Sequence, residues 1–201
     1  MTLDEMLIRR AVVTAGAIIY WAGVAIHARR IRKRIGKSAN LKPRTPKEKL
    51  LWLGWSFMIL GWLLQPLWVS GVSLPAALLT PVTLTGGLAL TVLGYAGTLW
   101  CYAAMGDTWR IGVNRQEKTS LITRGPYNVI RHPIYGFQIV MLGGAALLLP
   151  TIFSLVIIAV HFVCVQAKAA DEEAYLLGVH GETYQAYLNR TGRLFPKLLR
   201  V

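Results

Sequence analysis

LLWLGWSFMILGWLLQPLWVSGVSLPAALLTPVTLTGGLALTVLGYAGTLWCYAAMG, Leu50 to Gly106, runs 57 residues without one Asp, Glu, Lys, Arg or His. No soluble fold of this size needs such a run, whereas a membrane-spanning helix needs only about 20 apolar residues. The run divides into spans at Leu50–Trp68 and Thr83–Ala104, joined by the uncharged turn from Ser70 through Pro75 to Pro81. Hydrophobic residues make up 54% of the 201-residue chain, so the apolar blocks dominate the whole molecule. The sequence predicts an all-α integral membrane protein.

Working outward, the N-terminal flank holds the charge. The chain carries a net +13, and ten of its 22 Lys and Arg fall between Arg29 and Lys49, directly after an apolar segment at Ala11–Ala28. Basic residues packed into one short loop mark the cytoplasmic side of a membrane protein, and they also suit anionic headgroups. This placement argues against nucleic acid as the partner, an RNA-binding patch being the lesser alternative. Asp4 and Glu5 precede Arg9 and Arg10, and no small-residue cleavage site follows, so the first apolar segment reads as a retained span. Cys101 and Cys164 lie in predicted spans with no disulfide or metal-ligand spacing, and read as apolar fillers.

On the C-terminal flank, Asp107 to Arg131 is polar, which puts it on the side of the basic loop. Pro133 to Gln166 is apolar apart from Gln138 and His161, with a break at Leu149-Pro150-Thr151. Each arm, about 17 residues long, sits at the lower edge of spanning length and predicts a helical hairpin just reaching the far side. The second arm continues into the cytoplasm past Lys168, Glu172 and Glu173, ends at a Gly181 C-cap, and is followed by a short helix over Glu182–Leu188. The expectation is about five transmembrane helices, N-terminus outside, C-terminus and active site cytosolic. Residues 1–105 form an N-terminal membrane part and 106–201 a catalytic region.

The patterned polar residues gather in that second region. Pro133 suits the first turn of a helix, where a missing N–H costs nothing. Arg131 and His132 then sit at a helix N-terminus, where unpaired N–H groups favour an anionic group. Tyr127 and Tyr135 flank them, and an interfacial anchor reads from these residues as readily as a ligand site. Lys168 and Glu172 share one helix face at a four-residue spacing, and the hairpin returns them to the end where His132 lies. Taken alone, that pair reads more readily as a solvated, salt-bridged helix end, which is common. Tyr184 and Tyr187 read as packing residues, Gln138 as a weak polar contact, and His161 as a buried histidine facing another helix. No Ser-His-Asp pattern, His/Cys metal spacing or phosphate loop is present.

The order of motifs is more specific than any one of them. Gly106-x-x-Trp109-Arg110, Leu121-Ile122-Thr123-x-Gly125-Pro126-Tyr127 and Arg131-His132-Pro133-x-Tyr135 precede the hairpin. Glu172-Glu173-x-x-Leu176, Gly181-Glu182-x-Tyr184-x-x-Tyr187 and Arg193-x-x-Pro196 follow it. This order resembles the isoprenylcysteine carboxyl methyltransferase family and, more distantly, the phospholipid methyltransferases. The resemblance implies an enzyme using S-adenosyl-L-methionine, with a cytosolic cofactor pocket and a lipid-side opening for the acceptor. It assigns the cofactor to Thr119, Ser120, Leu121, Ile122, Tyr127, His132, Pro133, Ile134, Tyr135 and Glu172. It assigns the acceptor side to Lys168, where the family carries arginine; lysine keeps the charge but loses the two-pronged grip on a carboxylate.

The residue chemistry accords with that assignment. A carboxylate at Glu172 suits an ammonium or ribose hydroxyls, and Tyr127 or Tyr135 offers a π face to a sulfonium. Arg131 and His132 suit the methionine carboxylate. Lys168 or Arg131 would hold a carboxylate acceptor, and Glu173 or Glu172 would help an amine acceptor lose its proton. Expected partners are a prenylated or other lipophilic acceptor and membrane lipids. An NADPH-dependent sterol or enone reductase, with Arg110, Arg115 and Lys118 on the 2′-phosphate, stands as the second reading. A non-enzymatic lipid-binding scaffold stands as the third.

Overall fold

The computed structural model describes residues 3–36, 43, 45–68, 76–109 and 120–197. The helices are α1 (Leu3–Ile35), α2 (Pro46–Trp68), α3 (Pro81–Met105), α4 (Pro133–Leu148), α5 (Ile152–His180) and α6 (Glu182–Arg190). Local sequence sets their starts. Pro46, Pro81 and Pro133 each occupy a first helical position, and Thr45, Thr80 and Thr151 cap α2, α3 and α5 through their hydroxyls. At α2 the capping is reciprocal, because Glu48 Oε2 accepts from the Thr45 N–H at 3.1 Å.

Helices α1, α2, α3 and α5 are long and apolar enough to cross a membrane, whereas α4 has 16 residues. The hairpin is therefore asymmetric: α4 rises about 24 Å against a hydrocarbon core of about 30 Å. The first span also starts earlier than its apolar block, because α1 begins at Leu3 and carries Arg9 into the interior at 0% exposure. Arg9 donates to the carbonyls of Leu147, Leu148 and Thr80 at 3.3, 3.4 and 2.6 Å, and pairs with Glu5 at 3.1 Å. It thereby satisfies the terminal carbonyls of the short helix, which would otherwise end unpaired inside the bilayer thickness.

Helix α3 packs most extensively on α4. A Cβ at Gly94 would stand 2.7 Å from the Phe137 carbonyl, so only glycine admits this approach. A core of Val13, Ala17, Tyr20, Met58, Trp62, Met141, Leu142 and Ile157 joins α1, α2, α4 and α5. Gln138 points into this bundle and donates to the Tyr20 hydroxyl at 2.7 Å, away from the polar cluster below. His161 is buried, as its mid-span position suggests.

At one end of the bundle, α1 closes in a basic turn, Arg34 pairs with Asp107, and Lys47 of α2 pairs with Asp171 of α5 at 2.6 Å. The same basic end carries the starts of α2 and α4, so the polar segments meet there as the charge pattern predicts. Gly181, at φ +52, turns the chain from α5 into α6 as the expected cap.

Candidate functional site

Two polar segments 60 residues apart meet at the basic end. The Arg131 N–H donates to the Gly192 carbonyl at 2.8 Å, and the His132 N–H to the Arg193 carbonyl at 3.0 Å. Residues 191–194 thus run beside 129–132 and cross the first turn of α4, where a Cβ on Gly136 would strike the Leu194 carbonyl. These backbone bonds consume the N–H groups of Arg131 and His132 that the sequence left open for an anion.

His132 caps α4 and is buried. Its Nδ1 lies 3.3 Å from Glu172 Oε2 and its Nε2 3.4 Å from Glu173 Oε1. One turn into α4, the Tyr135 ring stacks on the imidazole at 5.8 Å, and its hydroxyl donates to Glu172 Oε1 at 3.2 Å. Lys168 Nζ stands 3.9 Å from the same oxygen. Burial disfavours the imidazolium, but hydrogen bonds and charge attraction from Glu172 and Glu173 outweigh it, raising the His132 pKa above its usual 6.5.

The two neighbouring glutamates occupy different settings. Glu173 is held by Arg131 Nε at 2.8 Å and by Arg193 Nη2 at 2.6 Å. Arg131 also reaches the carbonyls of Leu188 and Thr191, which end α6. Arg131 and Glu173, read from the sequence as acceptor-side groups, therefore engage one another and the C-terminal segment. Glu172, by contrast, faces Tyr135, His132 and Lys168.

Tyr127 lies in a helical turn over Gly125–Asn128, its hydroxyl 2.9 Å from Met105 Sδ, and its carbonyl accepts from the Tyr187 hydroxyl at 2.5 Å. Burial pushes the Tyr187 phenol up to about 12, which keeps it a donor. Ile122 packs with Tyr127 and Cys101, Ile134 bridges this cluster to Trp109, and Pro133 is buried. Leu121 is half-buried and Ser120 exposed, while Thr119, Arg110, Arg115 and Lys118 lie outside the described residues.

The structure adds two residues to the cluster. Trp55 of α2 meets the Tyr135 ring edge-on at 6.2 Å, and its indole N–H is buried without a partner among the described residues. No sequence signal marks it. Arg193 was visible only as the start of a spaced Arg-x-x-Pro.

Over 115 residues the chain is 28% identical to the nickel-cobalt-cadmium resistance protein NccN of Alcaligenes xylosoxydans xylosoxydans, covering 57% of this chain and 50% of that protein. Over 119 residues it is 24% identical to the cobalt-zinc-cadmium resistance protein CzcN of Cupriavidus metallidurans, covering 59% and 51% respectively. The chain spans about half the length of these curated relatives. The family model for phospholipid methyltransferase matches residues 82–183, from the start of α3 to the start of α6. The match crosses the 105/106 division suggested by the sequence and takes in His132, Tyr135, Lys168 and Glu172. With half its length matched, the chain belongs to the phospholipid methyltransferase family.

Proposed function

We propose that this protein is an integral membrane methyltransferase that uses S-adenosyl-L-methionine and methylates a lipophilic acceptor at the basic, cytosolic end of the bundle. The observation that carries the reading is the setting of Glu172. Its carboxylate is turned to Tyr135, His132 and Lys168, with the Trp55 ring on the edge of Tyr135, while the adjacent Glu173 is clamped elsewhere. A carboxylate, an imidazolium, an ammonium and aromatic faces together fit a zwitterionic, cationic and aromatic molecule such as this cofactor.

When bound, the cofactor supplies an electrophilic methyl group on a sulfonium. Glu172 would hold its ammonium or ribose, His132, whose ring nitrogens face Glu172 and Glu173, would keep the Glu172 carboxylate oriented, and Tyr127 and Tyr135 would present π faces. On this reading Ser120, Leu121, Ile122, Pro133 and Ile134, with Thr119 before them in sequence, would line the cofactor's side of the site. Positioning provides much of the rate in an in-line displacement. Lys168 orients an isoprenylcysteine-like carboxylate, which needs no proton removed. For an amine acceptor, Glu172 is the group placed to take the proton.

The relatives' names tie them to nickel, cobalt, zinc and cadmium resistance. Among the described residues no group of three or more His, Cys, Asp or Glu converges as metal ligands. We read any such role for this chain as acting through its methylated acceptor.

Thermal-shift and calorimetric titration of the detergent-solubilised chain with S-adenosylhomocysteine tests the reading, with NADP⁺ as the parallel arm. A ligand that binds only the folded state raises stability by mass action. Stabilisation by S-adenosylhomocysteine is expected. Glu172→Ala and His132→Ala should each weaken it about tenfold or more, as for lost charge-assisted bonds, whereas Lys168→Ala should mainly slow acceptor turnover. Unchanged affinity in folded Glu172→Ala and His132→Ala would overturn the pocket assignment. Stabilisation by NADP⁺ alone would replace the reaction with a reduction.

A further inference from the structure

Arg193 holds two parts of the cluster at once. Its backbone carbonyl accepts the His132 N–H at 3.0 Å. Its side chain grips Glu173, Nη2 to Oε2 at 2.6 Å and Nε to the two oxygens at 3.1 and 3.2 Å. Glu173 in turn stands 3.4 Å from His132 Nε2, and His132 Nδ1 stands 3.3 Å from Glu172. A chain of contacts therefore leads from the C-terminal segment through Glu173 and the imidazole to Glu172.

We propose that Arg193 is a positioning residue for Glu172: it anchors Glu173 and the His132 backbone, and so fixes the imidazole that orients the Glu172 carboxylate. The role toward the cofactor rests on the pocket reading above. The two carboxylates are consecutive on α5, and without a cation between them each would repel the other. The imidazolium separates them only if Glu173 is held at a set distance, and a guanidinium on each side of Glu173 does that.

The charges facing His132 fix the sign of the test. Glu172 and Glu173 face it from α5, with Lys168 behind Glu172 and Arg131 and Arg193 behind Glu173. Tyr135 faces it from α4, and Tyr184 of α6 lies within electrostatic reach of Glu173. The Arg193 charge competes with the imidazolium for Glu173. Removing it should raise the pH at which His132 titrates.

The carbon-13 histidine-labelled 201-residue chain, titrated by NMR in detergent, reads this directly, with His132 assigned by its loss in His132→Gln. Arg193→Gln should move the His132 midpoint upward and weaken S-adenosylhomocysteine about fivefold or more, as for other coupled sites. Arg193→Lys, which keeps the charge, should restore most of both and guards against a variant that fails to fold. A folded Arg193→Gln that melts earlier but leaves midpoint and affinity unmoved would overturn the proposal, since Arg193 would then serve stability only. Wild-type protein that fails to bind S-adenosylhomocysteine would overturn the pocket reading and with it the role toward this cofactor. The NMR arm distinguishes that failure from a failure of the clasp.

Discussion

His132 and His161 show how differently one residue type behaves in this chain. His132 meets a carboxylate on each ring nitrogen and keeps its proton to higher pH than a free histidine. Its stabilising contribution is fully present below the unfolded value near 6.5 and is lost as pH rises through the raised folded value. Wild-type melting temperature should therefore fall across that window more than the melting temperature of His132→Gln, as differential scanning fluorimetry over a pH series will show. His161 is 1% exposed, and among the described residues neither ring nitrogen has a hydrogen-bond partner. An unsatisfied buried polar group costs about 1–3 kcal/mol. His161→Leu, of similar volume and fully apolar, should raise the melting temperature rather than lower it. The sequence already set His132 at a helix N-terminus and His161 within a span; the carboxylates that α5 turns to His132 are what the tertiary structure adds.

Among the elements, α4 depends most on its surroundings. Its 16 residues stop short of a full crossing, and the carbonyls at its end rely on Arg9 of α1. Removing one partner of a buried charged cluster costs about 3–5 kcal/mol. Arg9→Leu should lose stability on that scale in chemical or thermal unfolding. Arg9→Lys should recover only part, because a single ammonium cannot replace a fork that reaches three carbonyls. The arginine stood in the sequence among N-terminal flanking charges, because hydropathy registers where a charge lies along the chain and not what lies beside it. The start of α4 was legible for a different reason: Pro133 acts on its own backbone and needs no distant partner. The apolar blocks alone put the starts of α1, α2 and α3 at Ala11, Leu50 and Thr83, later than the Leu3, Pro46 and Pro81 of the structure.

At the scale of the molecule, the described polar residues gather at one end and the far end carries the uncharged turn Ala76–Leu78, with Leu78 exposed there and Lys33 and Lys197 at the basic end; residues 69–75 lie outside the described residues. The positive-inside rule then predicts that basic end in the cytosol. Single cysteines at these three positions, in a background lacking Cys101 and Cys164, give the test with a membrane-impermeant maleimide on intact cells. The cysteine at position 78 should label, and those at 33 and 197 should label only after lysis; the reverse pattern would invert the topology.

Membrane class, the helix start at Pro133, the hairpin break at Pro150, the Gly181 cap and the motif order from Gly106 to Pro196 all follow from the sequence. Each depends on composition or on residues a few positions apart. The separate fates of Glu172 and Glu173, the engagement of Arg131 and Arg193 with Glu173, the place of Trp55 beside Tyr135 and the burial of Arg9 belong to the tertiary structure. Each pairs groups separated by tens of residues, and adjacent carboxylates on one helix differ only in which distant cations the fold brings to them.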